Sequence, residues 1–250
     1  MLEMCVNQAA GLQSIGLQAS SRVIAMASHG NQQGELPLLW SLCSTLVGFG
    51  YPVAVLDATS VESAQNPGLE QLLDEASWQS DEHEPLSWSV IPAARGLQQL
   101  CQQRSGHTLP MDPLGNLFQN FGVIVIYARA DILTHLLPGS GIEPLLTVSP
   151  VKISSVTAYQ TLKQLLVNAN IRPTVASISS TSTPKTAMSA TSALKTLQEC
   201  ALTFLNYHLD SITVRAMQPH EARSDDMNRL ALRLLENAMP LHRNHFVGSH

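Results

Sequence analysis

The 250-residue sequence is poor in charged side chains, in aromatic side chains and in cysteine. Charged residues make up 13% of the chain, about half of the ~25% that is usual in globular domains. The net charge is −5 and no run of Lys or Arg occurs, so we expect no nucleic-acid partner. The four cysteines are Cys5, Cys43, Cys101 and Cys200. They form no CxxC pair and no His/Cys cluster, which argues against a zinc site. Scattered, unpaired cysteines are typical of proteins in a reducing compartment.

The sequence also lacks the segments that direct a chain to a membrane. No basic stretch followed by an apolar one opens the chain, so we predict no secretory signal and a cytoplasmic location. The longest apolar stretch, Leu36–Leu56, is interrupted by prolines and glycines and predicts a buried helix followed by a buried strand. We therefore expect association with the cell pole or inner membrane only through a partner.

Short apolar runs alternate with helix-length segments along most of the chain. The runs lack a polar alternation, which is typical of strands buried on both faces. Seven runs are predicted strands: Val23–Ala27, Val53–Leu56, Ser87–Ile91, Val123–Tyr127, Leu145–Val148, Thr174–Ile178 and Ser211–Val214. Six segments are predicted helices: Leu36–Phe49, Leu69–Ala76, Ala93–Arg104, Ile153–Ala169, Thr186–Leu209 and Asp226–Ala238. The alternation predicts a single α/β domain of three layers, with a mostly parallel sheet between helices on both faces.

We predict one domain with a short extension at each end. The domain covers residues 22–240, an N-terminal helix or arm covers residues 1–18, and a tail covers residues 241–250. The acidic stretch Ala58–Leu86 and the Ser/Thr-rich stretch Ser177–Ser192 are predicted to be solvated loops over one edge of the sheet.

The last predicted helix carries an apolar face that two locations could explain. Leu230, Leu234 and Ala238 share this face, and Arg229 and Arg233 lie beside it. Basic amphipathic helices can bind membrane surfaces. Because this helix is short and a proline follows it, we predict that it packs on the domain.

The segment Arg22–Asp57 has the layout of a phosphate-binding unit. An apolar run is followed by a polar loop that contains Gly30 and Gly34, then by a helical segment and a second apolar run. Strand, glycine-containing loop, helix and strand in this order form the βαβ unit that binds phosphates through a P-loop. The layout therefore predicts a nucleotide-binding scaffold.

The residues after Gly34 differ from those of a working P-loop. Such a loop needs a lysine that reaches the phosphates and a Ser or Thr hydroxyl that holds magnesium. Glu35 and Leu36 stand in these places, and a carboxylate repels a phosphate. Glu35 would also stabilise the following helix through its dipole, so the loop could be a plain tight turn. Asp57 could be the relic of a site, a cap or a structural hydrogen-bond acceptor.

Three blocks of the sequence share a pattern with one known family. The first block is Asn7–Gln13, NQAAGLQ, beside a family helix of the type DQAxxLR. The second is the strand, loop, helix and strand just described, beside a strand, KGGVGKT, a helix and LLDAD. The third is Leu145–Lys163, beside a strand, Thr-Pro and a Ser…Asp-Ala-Tyr…Lys helix. In these blocks the chain resembles the FlhG (FleN) regulators of flagellar number, within the MinD/ParA group of deviant-Walker ATPases, and the resemblance implies a MinD-like fold.

The departures from the family pattern lie at the nucleotide site. The family's signature lysine falls on Gly30, its P-loop lysine on Glu35 and its magnesium-binding Thr on Leu36. The Walker B strand, Val123–Ile126, is followed by no acidic residue before Asp131. These losses remove the charge compensation for a triphosphate. We therefore expect no catalytic residue, no ATP hydrolysis, no ATP–magnesium or other cofactor, and a monomer or a dimer that forms through another surface.

The N-terminal helix is the predicted partner-binding surface. In the family this helix engages the SRP-type GTPase FlhF, which implies FlhF, or flagellar switch or export components, as candidate partners. The corresponding positions are Asn7, Gln8, Ala9, Leu12 and Gln13. Asn7 and Gln13 are uncharged where the family has Asp and Arg. The same segment could instead be an arm that is frayed or docks on its own domain.

We interpret the chain as a catalytically inactive FlhG/MinD-like protein that regulates flagellar assembly or number by binding proteins. One alternative is a divergent active ATPase that recruits Lys152 or Lys163. Another is a MinD-like accessory factor of a cellulose-secretion or polar pilus system. The histidines have no metal-ligand spacing, so we expect no metal site and assign His29 and the others to surface or capping positions.

Overall fold

The computed structural model describes residues 20–75, 88–102, 109–180, 184–216 and 225–241. The predicted partner-binding residues, from Asn7 to Gln13, lie outside these ranges. The strands in chain order are β1 (Arg22–Ser28), β2 (Val53–Asp57), β3 (Trp88–Pro92), β4 (Val123–Arg129), β5 (Leu145–Val148), β6 (Thr174–Ser180), β7 (Ser211–Ala216) and β8 (Met239–Pro240). The helices are α1 (Gln32–Gly48), α2 (Leu69–Glu75), α3 (Ala94–Gln102), α4 (Leu114–Leu117), α5 (Ala130–Leu136), α6 (Lys152–Ala169), α7 (Pro184–Leu205) and α8 (Asp225–Glu236).

The strands form one sheet in the order β3-β2-β4-β1-β5-β6-β7, and all neighbours in this order run parallel. The short strand β8 pairs antiparallel with the start of β1. The predicted mostly parallel sheet is therefore confirmed. The strand order reverses direction at β1, with β4 on one side and β5 on the other, and ligands of such sheets bind at the carboxyl ends of strands near this point.

Helices cover both faces of the sheet. Alternate residues of β1 point to opposite faces, with Val23, Ala25 and Ala27 in one hydrophobic cluster and Ile24 and Met26 in the other. The second cluster contains the buried faces of α1 and α8, and the first contains those of helices α2 to α7. The three predicted layers are therefore confirmed, and the continuous apolar character of the strands follows from burial on both sides.

The last helix, α8, packs on the domain as predicted. Leu230 is 0% exposed and Leu234 is 2% exposed. Both belong to the cluster that also contains residues of α1. Among the described residues, no helix is both long enough and apolar enough to cross a lipid bilayer.

The prediction that Ser177–Ser192 forms a loop was wrong. Strand β6 continues to Ser180 because its last residues pair with β7, up to Ala216. Helix α7 begins at Pro184, and the three residues between the strand and the helix, 181–183, lie outside the described part of the chain. Polar side chains had suggested a solvated loop, but backbone pairing with a neighbouring strand outweighs such local preferences.

The predicted end of α7 at Leu209 was also wrong. The helix ends at Leu205, and Asn206 adopts a left-handed conformation with φ of 48°. The N–H of Tyr207 then donates to the carbonyl of Ala201 at 3.1 Å, which closes the end of the helix. An asparagine tolerates this conformation better than most residues, so it stops the helix.

The stretch Ala58–Leu86 is only in part a loop. Its described residues include α2, and Glu62 and Leu69 are buried. The Glu62 carboxylate accepts the N–H groups of Arg95 and Gly96 at the start of α3, each at 2.8 Å. One acidic residue of this stretch is therefore a buried helix cap.

The residues that flank the predicted domain, Ser21 and Leu241, are hydrogen-bonded to each other. The Ser21 hydroxyl donates to the carbonyls of Phe118 at 3.1 Å and Phe121 at 2.8 Å. The N–H of Leu241 donates to the carbonyl of Ser21 at 2.8 Å, and the Leu241 side chain is 1% exposed. The two ends of the domain thus meet beside β1.

Candidate functional site

The glycine-containing loop connects β1 to α1 at the carboxyl end of the sheet. Gly30 has φ of 87°, a left-handed conformation that favours glycine, and lets the chain turn sharply after His29. Helix α1 begins at Gln32, four residues before the predicted Leu36, so Gly34 lies in its first turn. A Cβ on Gly34 would lie 3.0 Å from Cβ of Ser149, so the second glycine is needed for close packing against the end of β5.

Glu35 is fully buried beneath this loop. Its Oε1 atom accepts the backbone N–H of His29 at 3.1 Å and that of Asn31 at 2.9 Å. Its Oε2 atom accepts the hydroxyl of Tyr127 at 2.5 Å. The side chain therefore folds back on the loop that precedes it, and it satisfies an N–H at the start of α1 as a capping-box glutamate does.

His29 fixes the other side of the Glu35 carboxylate. Its ring is 1% exposed, and Nε2 lies 3.3 Å from Oε1 of Glu35 and 2.9 Å from the carbonyl of Thr147. Nδ1 lies 2.8 Å from the hydroxyl of Thr157 on α6. The prediction that His29 is a surface or capping residue was wrong, because the ring joins the loop to β5 and α6.

Tyr127 occupies the place after the apolar run of β4 where a Walker B aspartate would stand. Its backbone lies between Met26 of β1 and Asp57 of β2 in the sheet, and its side chain is 0% exposed. Burial, and next the hydrogen bond to the Glu35 carboxylate, raise the pKa of the Tyr127 hydroxyl above its ordinary value. The phenol therefore stays protonated and donates a hydrogen bond to the Glu35 carboxylate.

Asp57 at the end of β2 is engaged by its own turn. Its Oδ1 accepts the N–H of Thr59 at 2.9 Å and the Thr59 hydroxyl at 2.6 Å. Its Oδ2 accepts the Ser60 hydroxyl at 2.6 Å. Of the three roles considered for Asp57, this geometry is that of a structural acceptor in an Asx-type turn.

A cavity of about 490 Å³ lies beside the loop at the carboxyl ends of β1, β2 and β4. Its wall on α6 consists of hydroxyl and amide side chains at helical spacing: Thr157, Gln160, Thr161 and Gln164. Among the described residues that line it, one is a permanent cation, Arg129, whose side chain is 71% exposed and lies 3.4 Å from Asp131. The cavity is therefore polar but poor in positive charge.

The structure brings part of the predicted loop site together. Gly30 lines the cavity, Gly34 and Glu35 lie at the start of α1, and Asp57 lies two strands away. Leu36 is partly buried and packs against the hydrophobic cluster between α1 and the sheet. The predicted partner-binding residues lie outside the described part of the chain.

Sequence reasoning missed His29 and Tyr127 as members of the site. A signal for Tyr127 existed, because it is the first polar residue after the apolar run of the Walker B strand. No comparable signal marked His29, whose ring partners are 118 and 128 residues away along the chain.

No protein-family model and no curated protein matches this sequence. Solved structures do resemble the fold. The MinD cell division protein of Aquifex aeolicus superimposes with a TM-score of 0.54 and 16% identity, covering 89% of this chain and 100% of that chain. The cobyrinic acid a,c-diamide synthase of Mycobacterium smegmatis, solved with ADP and magnesium, gives 0.51 and 14%, covering 88% and 98%. The chain has the MinD-like fold.

The residues at this site do not fit the ATP and magnesium that the fold implies. The place of the P-loop lysine holds a buried carboxylate, and that carboxylate already accepts two N–H groups of the loop. The places of the two magnesium ligands hold Leu36, an apolar side chain that packs against the core, and Tyr127, which is hydrogen-bonded to Glu35. Lys163 is exposed on α6 and is not part of the cavity wall.

Proposed function

We propose that this protein is a catalytically inactive protein of the MinD-like fold that regulates flagellar assembly or number by binding other proteins. The observation that carries the first half is the buried carboxylate of Glu35 at the place of the P-loop lysine. The observation that supports the second half is the resemblance of the three sequence blocks to the FlhG regulators.

The electrostatics of the cavity support the loss of ATPase activity. Phosphoryl transfer is catalysed mainly by positioning and by cations that compensate the charge of the phosphates. Here the side chain buried beneath the loop is the acidic Glu35, and the cation of the cavity wall, Arg129, is exposed and near Asp131. A triphosphate in this cavity would meet repulsion from Glu35 and little compensation.

The proposal is tested by titrating the purified protein with ATP and magnesium in a calorimeter. We expect no binding heat and no phosphate release. We also expect the molar mass from size-exclusion chromatography with light scattering to be the same with and without ATP. Micromolar ATP binding, or a dimer that forms only with ATP, would contradict the proposal and favour the divergent ATPase.

The proposed partner role draws on two further facts. A MinD protein of this fold has been solved in a complex with MinC, so the fold can act by binding another protein. The N-terminal segment of this chain also resembles the FlhG helix that engages FlhF. In this proposal residues 1–18 are the surface for FlhF or for flagellar switch or export components.

Binding by residues 1–18 is tested with the full chain and a variant that lacks them. We expect the full chain to bind purified FlhF or a flagellar switch or export component, and the shortened chain to lose that binding. The variant Gln8→Ala/Leu12→Ala is a milder version of the same test. Unchanged binding after the deletion would show that the arm is not the surface, and binding only to cellulose-secretion or pilus proteins would favour that alternative.

A further inference from the structure

The Glu35 carboxylate lies where a loop of this shape binds an anion. The N terminus of a helix offers backbone N–H groups that have no carbonyl partner within the helix, and phosphates bind there. In this chain the N–H groups of His29 and Asn31 point to Oε1 of Glu35 at 3.1 and 2.9 Å. The donors that a ligand would use are therefore taken by a side chain of the same helix.

From this geometry we infer that Glu35 is a permanent internal ligand of the loop. Its carboxylate holds the loop in an anion-bound conformation without nucleotide, and removing the side chain opens a site for a small oxyanion. The inference rests on the proposed function, since it takes the loop to be a former phosphate site. The inference extends the proposed function to regulation of the site: with Glu35 in place, the loop keeps one conformation whether or not nucleotide is present.

Three hydrogen-bond donors surround the carboxylate, and the His29 ring lies beside them. Besides the two backbone N–H groups, the Tyr127 hydroxyl lies 2.5 Å from Oε2 and Nε2 of His29 lies 3.3 Å from Oε1. These donors come from the β1–α1 loop and from β4. A buried carboxylate surrounded in this way is compensated by hydrogen bonds rather than by a paired lysine.

The carboxylate also connects the elements that surround the cavity. Through the His29 ring it is linked to the carbonyl of Thr147 on β5 and to the hydroxyl of Thr157 on α6, which lines the cavity. Asn31 adds a second link, because its side-chain N–H donates to the Ser149 hydroxyl at 2.6 Å. The internal ligand thus fixes the loop against both neighbouring elements.

The cavity lies beside the loop that covers the carboxylate, so we expect a small ion to enter from it once the Glu35 side chain is removed. Three residues of the loop region, His29, Gly30 and Gln32, line this cavity of about 490 Å³. Replacing Glu35 by alanine removes the γ-methylene and the carboxylate, which together have the size and charge of an acetate ion. Acetate is therefore the probe that matches the missing atoms.

The test measures the thermal unfolding midpoint, Tm, of Glu35→Ala in sodium acetate and in sodium chloride at equal ionic strength. A ligand that binds only the folded state raises Tm with its concentration. We expect about 100 mM acetate to raise the Tm of the variant by about 3 °C over chloride. We expect no acetate-specific rise in the native chain or in Glu35→Gln, whose side chain still fills the space.

A surface variant controls for general effects of acetate on the protein. Glu70 lies on α2, its side chain is 32% exposed and its carboxylate lies 3.6 Å from Arg95. Glu70→Ala removes the same atoms from a site without the loop donors, so we expect no acetate-specific rise. An equal rise in Glu35→Ala and Glu70→Ala, or no rise in either, overturns the inference.

Two further results cover a Glu35→Ala variant that is too unstable to measure. A variant that folds in acetate but not in chloride supports the inference. If it folds in neither, hydrogen exchange of the native chain decides, because the amides of His29 and Asn31 should be protected by the carboxylate. Exchange of both amides at the rate of an open loop overturns the inference.

The outcome is separate from that of the ATP titration. ATP binding by the native chain would overturn the proposed function, whatever acetate does to the variant. If the native chain does not bind ATP and acetate does not raise the Tm of Glu35→Ala, only the internal-ligand inference is overturned.

Discussion

Replacing Tyr127 by phenylalanine removes a single oxygen atom from the centre of the site. The ring of Tyr127 is part of the hydrophobic cluster beneath α1 and would keep its packing. What is lost is the hydroxyl that donates to Oε2 of Glu35 at 2.5 Å. Because Glu35 is 0% exposed, no bulk water replaces this donor at its surface.

The loss can be given a magnitude. Hydrogen bonds to charged groups contribute about 1.5–3 kcal/mol, and a buried acceptor left without its donor costs a similar amount. We therefore expect Tyr127→Phe to lower the free energy of unfolding by about 2 kcal/mol. For a domain of this length, each kcal/mol shifts Tm by about 2–4 °C, so the variant should unfold about 4–8 °C below the native chain.

The assay is urea unfolding followed by circular dichroism, with Tyr51→Phe as the matched control. Tyr51 packs partly buried against the same cluster, and within the described residues its hydroxyl has no hydrogen-bond partner. We expect the control to change stability by less than about 0.5 kcal/mol. If Tyr127→Phe costs no more than Tyr51→Phe, the argument that Glu35 depends on this hydroxyl is refuted.

Two further predictions follow from burial at the same core. Tyr127 has a raised pKa in the folded state, so its contribution to stability is complete below the unfolded value of about 10 and is lost as pH rises through the folded value. The native chain should therefore lose stability more steeply above about pH 10 than Tyr127→Phe, and parallel pH profiles of urea unfolding would contradict this. Burial raises the pKa of the Cys43 thiol to about 12. Iodoacetamide at about pH 8 should label it at least about a hundredfold more slowly than Cys101 or Cys200, measured by mass spectrometry, and equal rates would contradict its burial.

The fold was predictable because its strands are buried on both faces. Runs such as Val23–Ala27 and Leu145–Val148 are apolar at every position, and the structure places each in the middle of the parallel sheet. Errors arose where tertiary contacts outweighed local composition. The polar end of β6 is a strand because β7 pairs with it, and α5 (Ala130–Leu136), which begins directly after β4, was not predicted at all.

The site was predictable only as a set of absences. The pattern from Gly30 to Leu36 shows that a lysine and a hydroxyl are missing, and the structure places these residues at the loop and first turn where such groups would act. It does not show what replaces them. A carboxylate after a glycine could face solvent, cap a helix or be buried, and the local sequence is the same in all three cases.

The sequence by itself therefore determined the α/β fold and the absence of a lysine and a hydroxyl at Glu35 and Leu36, because both depend on residues close together along the chain. Only the tertiary structure decided that Glu35 is buried and what holds it. Tyr127 is 92 residues from Glu35, and Thr157 is 128 residues from His29. Strand order brings these side chains together, and a hydrogen bond formed in this way leaves no periodicity or spacing that a sequence could reveal.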